Sequence, residues 1–261
     1  MDESIMQSLN TAAMSTALEG TAVRAWDRWP VEVSPEWKPN VAARPLRAVW
    51  TFERLLAVLA GVALLPLMAL IALAIKLDGT RGPVLYWQER VGMDRRRRPG
   101  RPPGDPRFER RRTNGYGRPF RLCKFRTMVP DAEARTGPVW ASRNDPRTTS
   151  IGRVLRRLRL DEFPQLINVV RGDMRLIGPR PERPHFVEQL SADIPEYPLR
   201  LTVPPGITGL AQIEQEYDSD LDDVRRKVKY DLFYARHQCG LMDAKILWRT
   251  LGVMLNGKGA H

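Results

Sequence analysis

The chain has 261 residues, a formal net charge of +12 and a hydrophobic content of 43%. This length and apolar content exclude global disorder and allow one large or two small domains, of which we favour one. The positive charge predicts an acidic partner such as lipid headgroups, phosphorylated substrates or nucleic acid. The two cysteines, Cys123 and Cys239, lie too far apart in sequence to indicate a disulfide framework or a zinc site.

The first third of the chain divides into an extension and a membrane segment. Residues 1–46 lack sustained periodicity and predict a loosely ordered extension, and their polar, acidic start predicts no secretory signal peptide. Residues 47–78 contain 21 consecutive uncharged residues, Leu55 to Ile75, which suffice to cross a bilayer core as a helix. Pro66 lies near their middle and predicts a kink. From composition alone, a bend in a spanning helix and a turn back to the same membrane face both stay open.

Basic residues follow the apolar segment on its C-terminal side, at Lys76, Arg81, Arg90 and Arg95–Arg98. Positive charge near a membrane segment favours the cytoplasmic side, so we expect the main body, residues 79–261, to be cytoplasmic. Within it, about residues 94–118 hold ten arginines and four prolines in 25 residues. Such a run is too charged and too interrupted to pack, which predicts a mobile basic loop that either attracts anionic lipid or is merely solvated.

The remaining patterns predict a mixed α/β body that is mostly helical. Apolar and aromatic content predicts extended segments at residues 84–91 and 120–128. Helical patterns follow at residues 130–135, 151–157 and 161–170, after Pro184, and at residues 221–237 and 242–255. In the helix at residues 221–237, the spacing of four apolar residues predicts one buried face, made by Val224, Val228, Leu232 and Ala235.

The segment VLRRLRLDEFPQLINVVRGDMRLIGPRPERP, residues 154–184, concentrates chemically useful side chains. Asp161 is a natural helix N-cap and Pro164 is tolerable in a first turn, so the pattern places Asp161 and Glu162 at a helix N-terminus. There the helix dipole favours an ionised carboxylate, which can act as a nucleophile towards phosphorus. An ordinary capping pair is the common alternative. The arginines that bracket the pair, including Arg156, Arg180 and Arg183, favour a phosphate site instead.

The run LDEFPQLINVVRGDMRLIGPRP closely resembles the signature of the bacterial sugar transferases, the monotopic polyprenyl-phosphate phosphoglycosyl transferases. Further matching blocks lie in order at residues 82–92 (GPVLYWQERVG), 124–128 (KFRTM) and 205–212 (PGITGLAQ), followed by YDLFYARH and DAKILWRT. The resemblance covers about residues 48–258.

This resemblance implies a function. A member of the family transfers a phosphosugar from a UDP-sugar to polyprenyl (undecaprenyl) phosphate, releases UMP and primes synthesis of a surface glycan: exopolysaccharide, capsule, O-antigen or glycoprotein glycan. By position, Asp161 would be the nucleophile that carries the phosphosugar in a ping-pong reaction, and Glu162 would help it to hold Mg²⁺. Arg156 and Arg180 match phosphate-binding positions of the family, and Lys124 and Arg126 of KFRTM are expected to add further phosphate contacts. Arg183, one of the bracketing arginines, completes the expected phosphate-binding set. Three further residues match family positions: Asp231, Gln212 and Thr208.

The resemblance also implies a membrane arrangement. The family's membrane helix is re-entrant and broken at a proline, here Pro66, so that a compact catalytic body sits on the cytoplasmic face of the inner (plasma) membrane. Leu65 stands where the family usually has serine, and Arg175 replaces another usual serine. Together with the basic loop, Arg175 is expected to add positive charge near the phosphate route and to strengthen contact with anionic membrane lipid or with substrate. We expect Asp161 to be accessible both to the soluble donor and to the lipid acceptor.

Two other function classes compete with this interpretation. A membrane-tethered nucleic-acid-binding protein would explain the charge, but the sequence has no recognisable binding motif with interleaved aromatics, so we expect no nucleic-acid partner. A catalytically silent scaffold is disfavoured because Asp161 and Glu162 are intact. A homodimer is compatible with the pattern. The sequence does not identify the sugar, the glycan pathway, the oligomeric state or the roles of the extension and the basic loop.

Overall fold

The computed structural model describes residues 47–94, 116–134, 137, 139, 145–215 and 220–256, and every structural statement below concerns these residues. The predicted loosely ordered extension, residues 1–46, lies outside them. Most of the predicted basic loop also lies outside the described residues.

Helix α1, Arg47–Leu77, carries the long apolar segment. Within the described residues, it is the one helix that is long and apolar enough to cross a membrane, over Val49–Leu77. Most of its leucines are exposed, as is typical of a surface that meets lipid rather than a protein core. The helix continues without interruption through Pro66. Its buried face is formed by Glu53, Ala57, Ile71 and Ile75.

Two small sheets accompany the helices. Strands β1, Leu85–Val91, and β2, Pro119–Phe125, are antiparallel with Leu85 opposite Phe125. They confirm the two extended segments predicted from apolar content, with ends that differ by a few residues. Strands β3, Arg175–Ile177, and β4, Gly206–Thr208, form a parallel pair that no local pattern predicted.

The helices after β2 make the described body mostly helical, as predicted. In chain order they are α2 (Ser150–Arg157), a 3-10 helix (Leu160–Gln165), α3 (Leu166–Arg171), α4 (Pro184–Asp193), a second 3-10 helix (Tyr197–Thr202), α5 (Leu210–Glu214), α6 (Leu221–His237) and α7 (Gly240–Asn256). The predicted helix at residues 130–135 is wrong over its described part, because residues 130–134 form a turn in which Asp131 has a positive φ.

Helix α6 shows how closely a periodic pattern can predict an element. It spans Leu221–His237, and the four apolar residues predicted to share a face are all at most 3% exposed. The Asp220 side chain accepts a hydrogen bond from the backbone N–H of Asp223 at 2.8 Å, which caps the first turn. The apolar stripe explains why this segment is helical, and the cap explains why the helix begins at Leu221.

Helix α1 packs against the rest of the body along most of its length. Ala57, near its start, belongs to a buried cluster with Leu122 of β2 and Val169 of α3. Ile71 and Ile75, near its end, belong to a second cluster with Phe125 and Leu155. Strand β2 therefore lies against helix α1 through its apolar residues.

Candidate active site

The Asp161–Glu162 pair lies just after a sharp reversal of the chain. Helix α2 ends at Arg157, and Arg159 adopts a left-handed conformation with φ of 54° before the 3-10 helix starts. Asp161 is therefore the second residue of a 3-10 helix, and the prediction that it caps an α-helix is wrong. Pro164 has no N–H to donate to the preceding turn, which is consistent with a tight 3-10 segment before α3 begins at Leu166. Both carboxylates do lie in the first turn, as predicted.

Asp161 is more buried than expected, with 8% of its surface exposed. Burial and the adjacent Glu162 charge raise the pKa of Asp161 to about 6, against the opposing effect of Lys124 and Arg156. The side chain is thus less open than the predicted accessibility to both substrates. Its raised pKa means that the carboxylate remains mostly ionised at neutral pH while being poorly solvated.

Glu162 is held by a strong ion pair. Arg180 Nη2 donates to Glu162 Oε1 at 2.6 Å. Burial alone would raise the pKa of Glu162, but the charge of Arg180 and this hydrogen bond outweigh it, so the pKa is lowered. The two adjacent carboxylates are consequently shifted in opposite directions, and Glu162 stays charged.

A cavity of about 550 Å³ is connected to Asp161 through cationic side chains that line it. Lys124 and Arg156, two of the cations that act electrostatically on Asp161, line it. Asp161 itself is not among the lining residues. Burial and the charge of Arg90 lower the pKa of Lys124 to about 8, and its ammonium lies 5.5 Å from the centroid of the Tyr86 ring. The cavity therefore offers cationic groups at the approach to a buried carboxylate.

Arg156 is anchored in this wall by two hydroxyl groups. Its Nε donates to Thr127 Oγ1 at 3.0 Å, and its Nη1 contacts Thr148 Oγ1 at 3.4 Å. Hydroxyl partners orient the guanidinium group without neutralising its charge. The prediction of a phosphate-binding role for Arg156 is compatible with this placement.

A buried ion pair holds the backbone of Arg180 in place. Arg200 Nη2 donates to the Arg180 carbonyl at 3.0 Å and lies 2.6 Å from Asp231 Oδ2. Asp231 and Arg200 are both about 1% exposed, so Asp231 is not a solvated helix residue. Its role follows from this chain of contacts: it holds Arg200, which holds the backbone that carries Arg180. Sequence reasoning missed Arg200, an isolated charge in an apolar stretch.

Two other predicted phosphate ligands are already engaged by protein groups. Arg126 donates to the carbonyls of Arg81 at 2.8 Å and Thr80 at 3.1 Å, just beyond the end of α1. Arg183 donates to both carboxylate oxygens of Glu133, at 2.7 and 2.8 Å. Both arginines line the cavity, but a phosphate would have to compete with these partners.

Thr208 and Gln212 lie where β4 contacts helices α5 and α7. The Thr208 hydroxyl is 2.7 Å from the Thr250 hydroxyl of α7, and Gln212 Nε2 donates to the Ile207 carbonyl at 2.9 Å. Neither residue lines the cavity. The adjoining Gly206 allows β3 and β4 to approach closely, because a Cβ at this position would collide with the backbone of Gly178. The matched motifs at residues 176–180 and 205–208 thus meet and fix the loop that carries Arg180.

The expectation for Arg175 is wrong. Its side chain is buried, with Nη2 placed 2.5 Å from Glu53 Oε1 and 2.9 Å from Asp243 Oδ2. Two carboxylates neutralise this guanidinium group, which therefore adds no free charge near a phosphate route. Instead, Arg175 links helix α1 to helix α7.

The fold and the site together define a class of protein that has one long, exposed apolar helix, as membrane-associated proteins do, and a cavity lined by cations that act on a buried aspartate. A family model described as bacterial sugar transferase matches residues 46–98 and 101–257. The chain belongs to the bacterial sugar transferase family.

Curated relatives agree with this assignment. A UDP-glucose:undecaprenyl-phosphate glucose-1-phosphate transferase of Caulobacter vibrioides is 36% identical over 225 residues, which cover 83% of this chain and 74% of the relative. A UDP-N-acetylgalactosamine-undecaprenyl-phosphate N-acetylgalactosaminephosphotransferase of Aeromonas hydrophila is 39% identical, covering 79% of this chain and 43% of the relative. An undecaprenyl-phosphate glucose phosphotransferase of Komagataeibacter xylinus is also 39% identical, covering 85% and 40%. The chain thus spans less than half the length of the latter two proteins.

Proposed function

We propose that this protein transfers a phosphosugar from a UDP-sugar to undecaprenyl phosphate, releases UMP and so primes synthesis of a surface glycan. Family membership and the names of the relatives support the reaction class. The observation that carries the proposal for this chain is the Asp161–Glu162 pair: Asp161 has a raised pKa beside two cavity-lining cations, and Glu162 is ion-paired to Arg180.

In the first proposed step, a carboxylate oxygen of Asp161 attacks the β-phosphorus of the donor. A P–O bond forms to Asp161, the bond from that phosphorus to the bridging oxygen breaks, and UMP leaves with the bridging oxygen. In the second step, a phosphate oxygen of undecaprenyl phosphate attacks the same phosphorus and releases the Asp161 carboxylate. The product is a sugar diphosphate lipid, and the two displacements predict ping-pong kinetics.

The surrounding residues would act by placement and charge. Lys124 and Arg156 line the approach and can bind the donor's diphosphate, whose negative charge they match. Arg180 keeps Glu162 ionised and in place. The limited exposure of Asp161 helps to exclude water, which would otherwise hydrolyse an acyl phosphate.

We also propose that the site uses Mg²⁺. The described residues contain no cluster of three or more metal-binding side chains. Mg²⁺ nevertheless commonly binds through one or two carboxylates with water and substrate phosphate oxygens, so Asp161 and Glu162 fit such a site once the donor is present. When bound there, the ion would neutralise charge that develops on the phosphate oxygens.

A re-entrant seating of α1 on the cytoplasmic face of the plasma membrane is part of the proposal. Ala57 and Ile75, which both pack against the body, are 18 residues apart, or about 27 Å along a helix, close to the thickness of a bilayer core. A body on one side of the membrane could not contact both ends of a helix that spans it upright. These contacts support an arrangement in which both ends of α1 stay on the side of the body. A bend at Pro66 is a separate part of the proposal, because the helix is uninterrupted at this residue in the structure.

Mass spectrometry of the intact protein tests the covalent step. The full chain, purified in neutral detergent with Mg²⁺, is exposed to a panel of UDP-sugars without acceptor. We expect the mass of one phosphosugar to be added and UMP to be released with at least one donor, and addition of undecaprenyl phosphate to remove the adduct. Asp161→Asn should form no adduct, whereas Asp222→Asn, at an exposed carboxylate of α6, should behave as the parent.

The proposed nucleophile is refuted if the Asp161→Asn protein still gains the phosphosugar mass. The proposed reaction is refuted if no UDP-sugar in the panel yields UMP with a folded parent protein. In that case a scaffold function would be favoured.

A further inference from the structure

A tryptophan flanked by two arginines lies on the opposite side of β1 from the cavity. The guanidinium carbons of Arg171 and Arg121 lie 5.5 and 5.9 Å from the centroid of the Trp87 ring. Tyr86, Gln88 and Arg90 line the cavity, and successive side chains on a strand point to opposite faces, so Trp87 faces away from it. This cluster therefore belongs to a different surface from the candidate active site.

Both flanking arginines are exposed at the protein surface. Arg121 and Arg171 are exposed, and in the described part of the chain neither forms an ion pair with a carboxylate. Glu89 is opposite Arg121 in the strand register, but its side chain makes no ion pair with that arginine. Within the described residues, neither guanidinium group of the cluster is therefore held in an ion pair with a carboxylate.

The cluster adjoins the start of helix α1. Arg54, an exposed residue of α1, places its guanidinium group where a Cβ at Gly172 would sit, directly after Arg171. The exposed apolar surface of α1 begins next to it, with Phe52 and Leu55. A third arginine therefore lies next to the backbone that follows Arg171, and exposed apolar residues of α1 that are suited to acyl chains adjoin it in sequence.

We propose that Arg121, Arg171 and Trp87 form a binding site for the headgroup of an anionic phospholipid, whose acyl chains lie on the exposed face of α1. Guanidinium groups bind phosphate oxygens with directional hydrogen bonds, and a tryptophan ring is suited to the bilayer interface. Stacking on the ring limits the motion of each guanidinium group, which lowers the entropy lost on binding. The inference rests on the proposed membrane seating of α1 but not on the chemistry at Asp161.

Lipid titration by native mass spectrometry tests this site. The full chain in neutral detergent is titrated with phosphatidylglycerol and, separately, with phosphatidylcholine of identical acyl chains, both without sugar donor. We expect the parent to bind phosphatidylglycerol more tightly. Because a basic residue at an anionic surface contributes about 1 kcal/mol, Arg121→Gln/Arg171→Gln should weaken phosphatidylglycerol binding about thirtyfold and leave phosphatidylcholine binding unchanged.

Two further variants distinguish specific headgroup binding at this cluster from nonspecific attraction of anionic lipid to positive charge. Lys229→Gln/Arg236→Gln removes two exposed charges from α6 and should change phosphatidylglycerol affinity less than about threefold. Trp87→Leu keeps both arginines but removes the ring. It should weaken phosphatidylglycerol binding measurably, but less than Arg121→Gln/Arg171→Gln does. Melting temperatures and covalent adduct formation on Asp161 confirm that each variant is folded.

The site is refuted if the double arginine variant binds phosphatidylglycerol like the parent, or if the α6 variant loses as much affinity. Displacement of phosphatidylglycerol by millimolar inorganic phosphate would show a free-phosphate site and overturn the lipid assignment. Stoichiometric displacement by undecaprenyl phosphate would assign the cluster to the acceptor instead. Loss of lipid binding with normal adduct formation separates this inference from the proposed chemistry.

Discussion

Replacement of Lys124 by arginine separates the two ionisations that the structure places at the approach to Asp161. In the parent, the pKa of Asp161 is raised to about 6 and that of Lys124 is lowered to about 8, in both cases mainly by burial. If ionised Asp161 attacks and protonated Lys124 binds the diphosphate, kcat/KM for the donor half-reaction is bell-shaped with limbs near these two pH values. About one tenth of Asp161 is ionised at pH 5, so the rate there is about tenfold below its maximum.

The Lys124→Arg variant should lose the alkaline limb and keep the acidic one, because an arginine stays charged throughout this range. The assay is single-turnover release of UMP without acceptor, between about pH 4.5 and 9 at constant ionic strength and Mg²⁺, which avoids ionisation of the lipid phosphate. Lys229→Arg, at an exposed position of α6, is the matched control and should keep both limbs.

Three results would contradict this reasoning. An acidic limb near pH 4 would mean that the Asp161 carboxylate is as solvated as one in a peptide. A flat profile from about pH 5 upward would remove ionisation of Asp161 from the rate-limiting chemistry. An alkaline limb that persists in Lys124→Arg would belong to another group.

Three further predictions concern stability, measured as melting temperature and free energy of unfolding in the same detergent. The pKa of Asp161 is raised to about 6 in the folded protein, so the stability contributed by its neutral form is complete below about pH 4 and is lost as the pH rises through 6. Asp161→Asn should therefore stabilise the protein at pH 7.5 by on the order of 2–3 kcal/mol and have little effect at pH 4. An equal effect at both pH values would contradict this. Asp231→Asn leaves Arg200 buried without its carboxylate and should cost about 3–5 kcal/mol and reduce UMP release, an expectation that fails if stability is unchanged. Glu53→Gln and Arg175→Met should each destabilise and be non-additive in a double-mutant cycle, whereas strict additivity would show that the pair does not couple α1 to the body.

Local periodicity predicted the long elements well. Helix α6 was predicted with both ends from an apolar stripe that repeats at helical spacing, and the structure adds the Asp220 cap at its start. The β3–β4 pair was not predicted, because three-residue strands carry too little pattern and their pairing depends on the close approach of Gly178 and Gly206. The turn at residues 130–134 was misread as a helix for a related reason, since the positive φ of Asp131 leaves no clear mark in the sequence.

The candidate site was only partly predictable. The sequence placed Asp161 and Glu162 together, but it could not show that their pKa values shift in opposite directions, which depends on Arg180. Arg175 was expected to add positive charge near the phosphate route, but in the structure its charge is neutralised by two carboxylates. Its partners Glu53 and Asp243 lie 122 and 68 residues away in the chain, so only the folded structure reveals the neutralised cluster.

The contacts of α1 would link the proposed membrane seating mechanically to the proposed chemistry. Arg126 donates hydrogen bonds to carbonyls at the end of α1, and two residues earlier on the same chain segment Lys124 lines the cavity. Near the other end of α1, Glu53 binds Arg175, which begins the strand that leads to Arg180. A shift of α1 relative to the body would therefore displace Lys124 and Arg180, two cations that act on Asp161. Since one substrate of the proposed reaction lies in the membrane, a helix joined to the site at both ends can hold the nucleophile at a constant depth relative to the lipid phosphate.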